Sequence, residues 1–460
     1  MGSLTFLLKQ NPAYWMRQAY IDFKAPYVGM WFFWRPALLI NSPELCKKIL
    51  IKDFDNFRNR FMSSGKTDAV GHMNMVVLKD TAWSTLRRRL TPVFSAAKLK
   101  QHYNITQIKS NNLVQRIREL SAKNIYFNLR TVSANYTTDV IGESAFGIIS
   151  DSAKTGDSLM RGIAREFMDF NIHRGLSWSS IFFCPELVDV FRFSLFPKYT
   201  IRRLRTIFGS IIEKRGGFQK KINEPKDLLD CLLKMKQEAA EDGEEISEDF
   251  LLAQASIFFF GGFETSAAVM SWILYALAWN PHCQEKLYEE IVAVKKSHDV
   301  QDLDVSILTE LIYLNCVIKE TLRIFPPIGW MDREAAEDYR IDEKLTITAG
   351  TPVYINAVAI HMDPQYFPNP MVFNPDRFLP ENEKNITPFT FLPFGDGPRM
   401  CIGMRFAYQS IKQAIASIVL TFKLETLPNT PKLNDVQVER KGLFLLPLDD
   451  NMKIKFVPRE

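Results

Sequence analysis

The chain has 460 residues, 47% apolar and 24% charged, so it can bury a sizeable core as one large domain or as two to three ordinary ones, and it is not a disordered chain. Its net charge of +5 is mild and its Lys and Arg are scattered, which gives no ground for a nucleic-acid partner. The six cysteines, Cys46, Cys184, Cys231, Cys283, Cys316 and Cys401, never form a Cys-x-x-Cys pair, so neither a zinc site nor a redox dithiol is expected and a reducing, cytosol-facing compartment is the default.

The opening MGSLTFLLKQNPAYWMRQAY carries neither the long apolar run of a membrane anchor nor a signal cleavage site. Next, YVGMWFFWRPALLI (27 to 40) reads as two short strands around a turn, and SPELCKKIL follows with a Ser helix cap. From about Thr81 to Lys296 helical periodicity dominates, with candidate helices near 81 to 91, 131 to 147, 158 to 172, 201 to 221, 248 to 279 and 282 to 296. Ser256 to Trp279 is long enough to cross a bilayer, but a Gly-Gly pair, Glu264 and Thr265 at its middle favour a site built on a buried core helix. A further helix ends at Phe325-Pro326-Pro327, strand-like LTITAGTPVYINAVAI leads into a Pro-rich irregular region (363 to 393), and one more helix follows. LFLLPLDD and MKIKFVP alternate like a closing hairpin. No repeat, linker or charge block divides the chain, so a single α-rich domain over 1–460 with a minor β portion is expected.

The most informative stretch is Phe394-Gly395-Asp396-Gly397-Pro398-Arg399-Met400-Cys401-Ile402-Gly403, a glycine-tightened loop before a cysteine that opens an apolar helix. Backbone N–H groups at a helix start, with Arg399 nearby, favour a thiolate, the form that binds iron. Gly395, Gly397 and Gly403 are expected to leave room for a flat macrocycle. The bland alternative is a buried structural cysteine.

The pattern Phe-x-x-Gly-x-Arg-x-Cys-x-Gly resembles the haem-binding loop of the cytochrome P-450 superfamily of haem-thiolate monooxygenases. Three further matches extend the resemblance over essentially the whole chain. Gly261-Gly262-Phe263-Glu264-Thr265 is similar to the family's oxygen-binding segment, in which an acid–Thr pair opens the central helix locally and helps deliver protons. Two adjacent glycines weaken a helix by roughly 1 kcal/mol each, which invites such a distortion; a satisfied core pair is the competing reading. Glu320-Thr321-Leu322-Arg323 matches Glu-x-x-Arg and, with Arg377 of Phe373-Asn374-Pro375-Asp376-Arg377-Phe378, resembles the family's structural triad, Asp376 standing where many members carry Glu. Trp83 and Arg87, one helical turn apart, resemble the family's propionate-binding pair, to which Arg333 and Arg399 would add.

The resemblance implies a cytochrome P-450 fold with haem b between the long central helix and the Cys-loop helix. It implies Cys401 as iron ligand; Trp83, Arg87, Arg333, Arg399, Phe394, Gly262 and Gly403 as haem-binding; and Thr265 and Glu264 as catalytic. Apolar pocket walls are expected from Met73, Met75, Phe260, Phe263, Ile328, Trp330 and Leu443. With no flavin or nicotinamide fingerprint in the chain, electrons are expected from NADPH through a separate NADPH-cytochrome P-450 reductase, with cytochrome b5 as a second donor. The Arg87-Arg88-Arg89 run with Lys98 and Lys100 is the candidate docking face. FFFGGFETSA and DFDNFRNR are most like the microsomal members of insects, which oxidise hormones, plant toxins and insecticides on the cytosolic face of the endoplasmic reticulum. The anchor helix and Pro-rich hinge of such members are not seen at the start, so the expectation is either a truncated chain that has lost its anchor or peripheral contact with the membrane, with Trp178 to Thr200 as the dipping segment. Two alternatives remain open: a haem-thiolate isomerase or dehydratase that needs no O2, and a truncated haem-binding relative without activity.

Overall fold

In the computed structural model, residues 10–126, 128–169, 171–299, 303–440, 442–448 and 452–459 are described; the first nine residues of the opening segment and the last two of LFLLPLDD lie outside them. The N-terminal helix α1 (Pro12–Phe23) is set by Asn11, whose side chain accepts from the Ala13 N–H at 3.0 Å ahead of a proline at the first helical position. Strands β1 (Tyr27–Phe32) and β2 (Arg35–Ile40) form the expected hairpin, and Ser42 caps the short helix after it. The hairpin joins strands from far along the chain, β3 (Met331–Glu334) and β6 (Pro352–Ile355), in the order β1-β2-β6-β3, with β2 and β6 parallel. Between them β4 (Tyr339–Arg340) pairs with β5 (Thr346–Ile347).

The longer helices after α1 are α2 (Ala82–Leu90), α3 (Tyr103–Ala122), α4 (Leu129–Phe146), α5 (Leu159–Phe167), α6 (Ile172–Phe183), α7 (Lys198–Lys214), α8 (Leu228–Glu241), α9 (Glu248–Trp279), α10 (Pro281–Ser297), α11 (Ile312–Ile324) and α12 (Met404–Thr421). The six candidate ranges are all helical, with two corrections. The range 158 to 172 stops at Phe167, and 201 to 221 stops at Lys214, where Gly216 and Gly217 take left-handed backbone conformations. Helices α3, α6 and α8 fall between the candidate ranges. In α3 the buried face includes Thr106, Lys109 and Ser110, which blunts the apolar period.

The closing hairpin is also corrected. Strand β8 (Ile454–Pro458) pairs antiparallel with β7 (Phe422–Thr426), the strand that continues α12, and not with residues 443 to 448. Alternation identified the strand but carried no information about its partner.

Helix α9 is the axis of the core. Ser247 caps it and Glu248 and Asp249 complement its N-terminal dipole. Among the described residues it is the one helix long and apolar enough to cross a membrane, yet 78% of its most apolar window is buried against the rest of the fold. It is α-helical without interruption, so the expected opening at the Gly-Gly pair is absent. Thr265 Oγ1 instead donates back to the Gly261 carbonyl at 2.7 Å within the intact helix.

Candidate active site

Cys401 lies at the end of a loop closed by its own backbone, where the Cys401 N–H donates to the Phe394 carbonyl at 2.9 Å and Met400 N–H to Gly397 at 3.0 Å. Helix α12 begins three residues later, with Gly403 as its cap. The cysteine is accessible yet ringed by protein, as a group lining a deep cleft is. Burial pushes its thiol pKa up, while N–H groups of Gly403 and Met404 and the guanidinium groups of Arg87 and Arg60 act the other way. The expected thiolate partner Arg399 is not among them. Its Nε donates to the Arg58 carbonyl at 2.7 Å, one terminal nitrogen donates to Leu78 at 3.0 Å, and its guanidinium lies 4.0 Å over the Trp83 ring.

The loop glycines have different reasons. Gly395 and Gly397 sit at φ of +72° and +73°, and a Cβ on Gly397 would meet the Leu50 carbonyl at 2.2 Å. These two answer to the protein's own backbone. Only Gly403 keeps open space, its nearest neighbour being Phe94 at 4.0 Å. Phe94 also stacks on Phe258 of α9 at 5.6 Å, joining the Cys loop to the central helix. Phe394 faces the other side of the loop, against Tyr408 of α12 at 5.5 Å.

On α9 the accessible stripe carries Gly261 and Thr265. Gly262, expected to approach the cofactor, packs instead on α4, where a Cβ would meet Ile141 side-chain carbons at 2.6 Å. Gly261 is the glycine with nothing within 4 Å of such an atom. Glu264 is 2% exposed and turned toward α4, its carboxylate taking Arg130 nitrogens at 3.0 and 3.3 Å. Its charge is therefore paired with Arg130, and the geometry brings it to that cation and not to the Thr265 hydroxyl.

Four cations are linked through Arg60, and two of them, Arg60 and Arg87, act on Cys401. Arg333 is fully buried and its pKa is lowered to about 10, by burial first and then by Arg60. Arg399 is lowered to about 8 by burial, Arg60 and Arg333. Arg87 is lowered by burial and by Arg60, with Cys401 opposing. Arg60, which the sequence reading did not single out, faces all three. Three of these groups keep a buried N–H without an acceptor: Arg60 Nε, Arg333 Nε and one terminal nitrogen of Arg399. A guanidinium does not shed its proton in a protein, so such depressions record burial first and mutual repulsion second, with Asp332 and Asp80 opposing them at Arg399.

The family model described as Cytochrome P450 matches residues 1–454. The chain belongs to the cytochrome P450 family. Curated relatives include cytochrome P450 6k1 of Blattella germanica, 34% identical over 92% of this chain and 84% of its own length. Another is probable cytochrome P450 6g2 of Drosophila melanogaster, 34% identical over 96% of this chain and 89% of its own. As a cytochrome P450 the chain is a haem monooxygenase with haem b as cofactor, and electrons reach this family typically from NADPH through a separate reductase.

The site fits that group. The accessible Cys401 sulfur would bind the iron, and the orphaned N–H groups of Arg60, Arg333 and Arg399 would donate to carboxylate acceptors such as a haem's propionates. In the scaffold beneath, Arg323 makes a bidentate pair with Glu320 at 2.8 Å to each oxygen, and both side chains are 0% exposed. Arg377 joins Glu320 at 3.4 Å and the Asn374 N–H donates to it at 2.9 Å. The triad expected from the resemblance is thus brought together. Asp376 stands apart, paired with Lys286 at 2.7 Å.

His361 extends this scaffold and carried no sequence signal. Its Nδ1 faces the Arg323 carbonyl at 3.1 Å and its Nε2 accepts the Leu392 N–H at 2.8 Å, which fixes a neutral tautomer and ties the triad to the irregular segment leading into the Cys loop. Burial, then Arg323, lowers its pKa to about 3.

The pocket candidates divide. Met73 and Met75 are pinned to α9 by Gln254, which donates to the Met73 carbonyl at 2.7 Å and accepts the Met75 N–H at 2.9 Å. Ile328 is 40% exposed. Phe263 and Leu443 are buried, Phe260 packs on Trp178 at 5.6 Å, and Trp330 is buried beside Phe183 at 5.9 Å. Phe263 lies on the face of α9 opposite Thr265, where its carbonyl accepts from Thr137, so core packing accounts for it.

Proposed function

We propose that this chain, as one domain over 1–460, hydroxylates small lipophilic molecules such as hormones, plant toxins, insecticides or other xenobiotics, at the cytosolic face of the endoplasmic reticulum. The observation that carries the reading is an accessible Cys401 flanked by Arg60 and Arg87, together with the unpartnered buried N–H groups of Arg60, Arg333 and Arg399, which suit a dianionic cofactor. Haem held by a thiolate supplies activation of molecular oxygen for insertion into unactivated carbon. The residues supply the rest. Trp83 supports Arg399 by stacking, so that its unused N–H is held in place. The Thr265 hydroxyl, anchored on Gly261, presents its lone pairs to the accessible side of α9, where it can hold or move a proton. Glu264, fixed by Arg130, positions that turn of the helix. The loop pinned by Gln254, with Phe260 and Ile328, offers apolar walls that exclude water from the reaction.

Electrons are proposed to come from NADPH-cytochrome P-450 reductase, with cytochrome b5 as second donor. Of the basic run, Arg87 turns inward to Cys401, while Arg88 and Lys100 are exposed. Gln409 of α12 donates to the Leu99 carbonyl at 3.1 Å, which brings this segment beside α12 and its exposed Arg405. Membrane contact is proposed at a narrower surface than Trp178 to Thr200, since Trp178, Ile181, Leu195 and Phe196 are buried. Val190 and Phe191 are exposed at 72% and 60%, and the hairpin tip offers Trp31 and Trp34 at 61% and 56%. The ion pair of Arg35 with Glu186 ties the two together.

Reconstitution with reductase, NADPH and a panel of lipophilic substrates tests the reading. Hydroxylated product should require both NADPH and O2, and Thr265→Ala should keep the haem while diverting most electrons from product to peroxide. Product formed from a hydroperoxide without NADPH, and none with it, would overturn the proposal.

A further inference from the structure

A second cavity lies on the outer side of the Cys loop. It has a volume of about 510 Å³, within the range of small-molecule sites. Phe391, Phe394 and Gly395 of the chain entering the loop form one wall, and Met404, Tyr408 and Lys412 of α12 form another. The short helix Val305–Glu310 closes the third side through Val305 and Leu308, with the exposed Thr309 at the mouth. The Phe394 and Tyr408 rings, 5.5 Å apart, give a continuous aromatic surface.

One polar group in this apolar room stands out. The Lys412 Nζ donates a single hydrogen bond, to the Leu308 carbonyl at 3.2 Å, and among the described residues it has no ion pair. Glu290, which acts on it electrostatically, spends its two oxygens on the N–H groups of Tyr313 and Leu314 at 2.6 and 3.0 Å. The other lysine of the lining, Lys319, is neutralised by Glu383 at 2.5 Å. Burial lowers the pKa of Lys412, so the ammonium is poorly hydrated as well as unpaired. An ammonium with unspent donors in the wall of an aromatic and aliphatic cavity suits a carboxylate with an apolar tail.

We propose that this cavity is a second ligand site, for a small amphipathic carboxylate of the medium-chain fatty-acid class, with its head at Lys412 and its tail along Phe391, Phe394 and Tyr408. Bound there, the ligand touches Phe394 and Gly395 from behind and stands on the face that Gln409 and Leu99 share with the exposed basic residues.

The test is calorimetric titration of the holoenzyme with decanoate and, separately, with decan-1-ol, the substrate cavity being filled beforehand by a bulky N-aryl imidazole. The Soret shift caused by that imidazole reports haem assembly on its own, so failure of the haem reading and failure of this proposal are distinguishable. Expected is one saturable decanoate site, bound about tenfold more tightly than the alcohol, a ratio appropriate to one charge-assisted pair. Lys412→Met should bring decanoate down to the affinity of the alcohol and leave the alcohol unchanged, and Lys412→Arg should restore the preference. No saturable binding to the wild-type holoenzyme overturns the proposal, as do equal affinities for acid and alcohol. Undiminished decanoate binding by Lys412→Met does the same.

Discussion

A buried guanidinium N–H without an acceptor is costly, and this chain keeps three of them, on Arg60, Arg333 and Arg399. Arg60 is the member whose role rests on structure alone. It follows a 3-10 turn (Phe54–Phe57) and reaches Arg87, Arg333 and Arg399 across large separations in sequence, so no local spacing announced it. Trp83 with Arg87, and Arg399 before Cys401, were legible because each pair is fixed within one turn or one loop. Replacing Arg60 by Ala should lower haem content in purified protein and speed haem loss to an acceptor apoprotein several-fold. Arg58→Ala, whose guanidinium is paired with Asp55 and Asp80, is the control. Equal retention in both variants would remove Arg60 from the cofactor site.

At the scale of elements, α9 shows what sequence patterning delivers and what it leaves out. Helical periodicity predicts it over 248 to 279, which is its observed span. The two glycines, identical as letters, are separated only by the packing of α4: Gly262 abuts Ile141 and Gly261 faces open space. Gly262→Ala should therefore cost about 1–3 kcal/mol, from an overpacked helix contact. Gly261→Ala should be tolerated, with up to about 1 kcal/mol gained in helix propensity. Chemical unfolding of the two holoenzymes measures the difference, and an equal effect of both would contradict the assigned faces. Strand pairing was the less legible part: β8 reads as a strand in isolation, yet its partner β7 is fixed by the exit direction of α12, a tertiary fact.

For the whole molecule, the buried scaffold under the site has a pH signature. His361 is held neutral, its pKa lowered from 6.5 to about 3. Above pH 6.5 folded and unfolded chains are both neutral there, and the full stability is present. As pH falls below that value the unfolded chain takes up a proton that the folded chain refuses, so stability declines toward pH 3, by up to about 1.4 kcal/mol per pH unit. His361→Gln should be less stable at pH 7 and should show a slope smaller by one proton between about pH 6 and 4 in urea unfolding. Identical slopes would mean that the imidazole is not the group being protected. An α-rich domain was legible from helical periodicity, and the triad from the resemblance alone, since spacing by itself pairs only Glu320 with Arg323. The orientation of Glu264, the linkage through His361 and the cavity behind the Cys loop were not, since each is made by segments that meet only in the folded chain.

The central claim is that the Cys401 sulfur ligates a haem iron. The carbon monoxide difference spectrum of the reduced, haem-loaded protein tests it most directly. Thiolate ligation predicts a strongly red-shifted Soret band that is lost in Cys401→Ala. A band at the position typical of imidazole ligation, or a red-shifted band that survives Cys401→Ala, would contradict it.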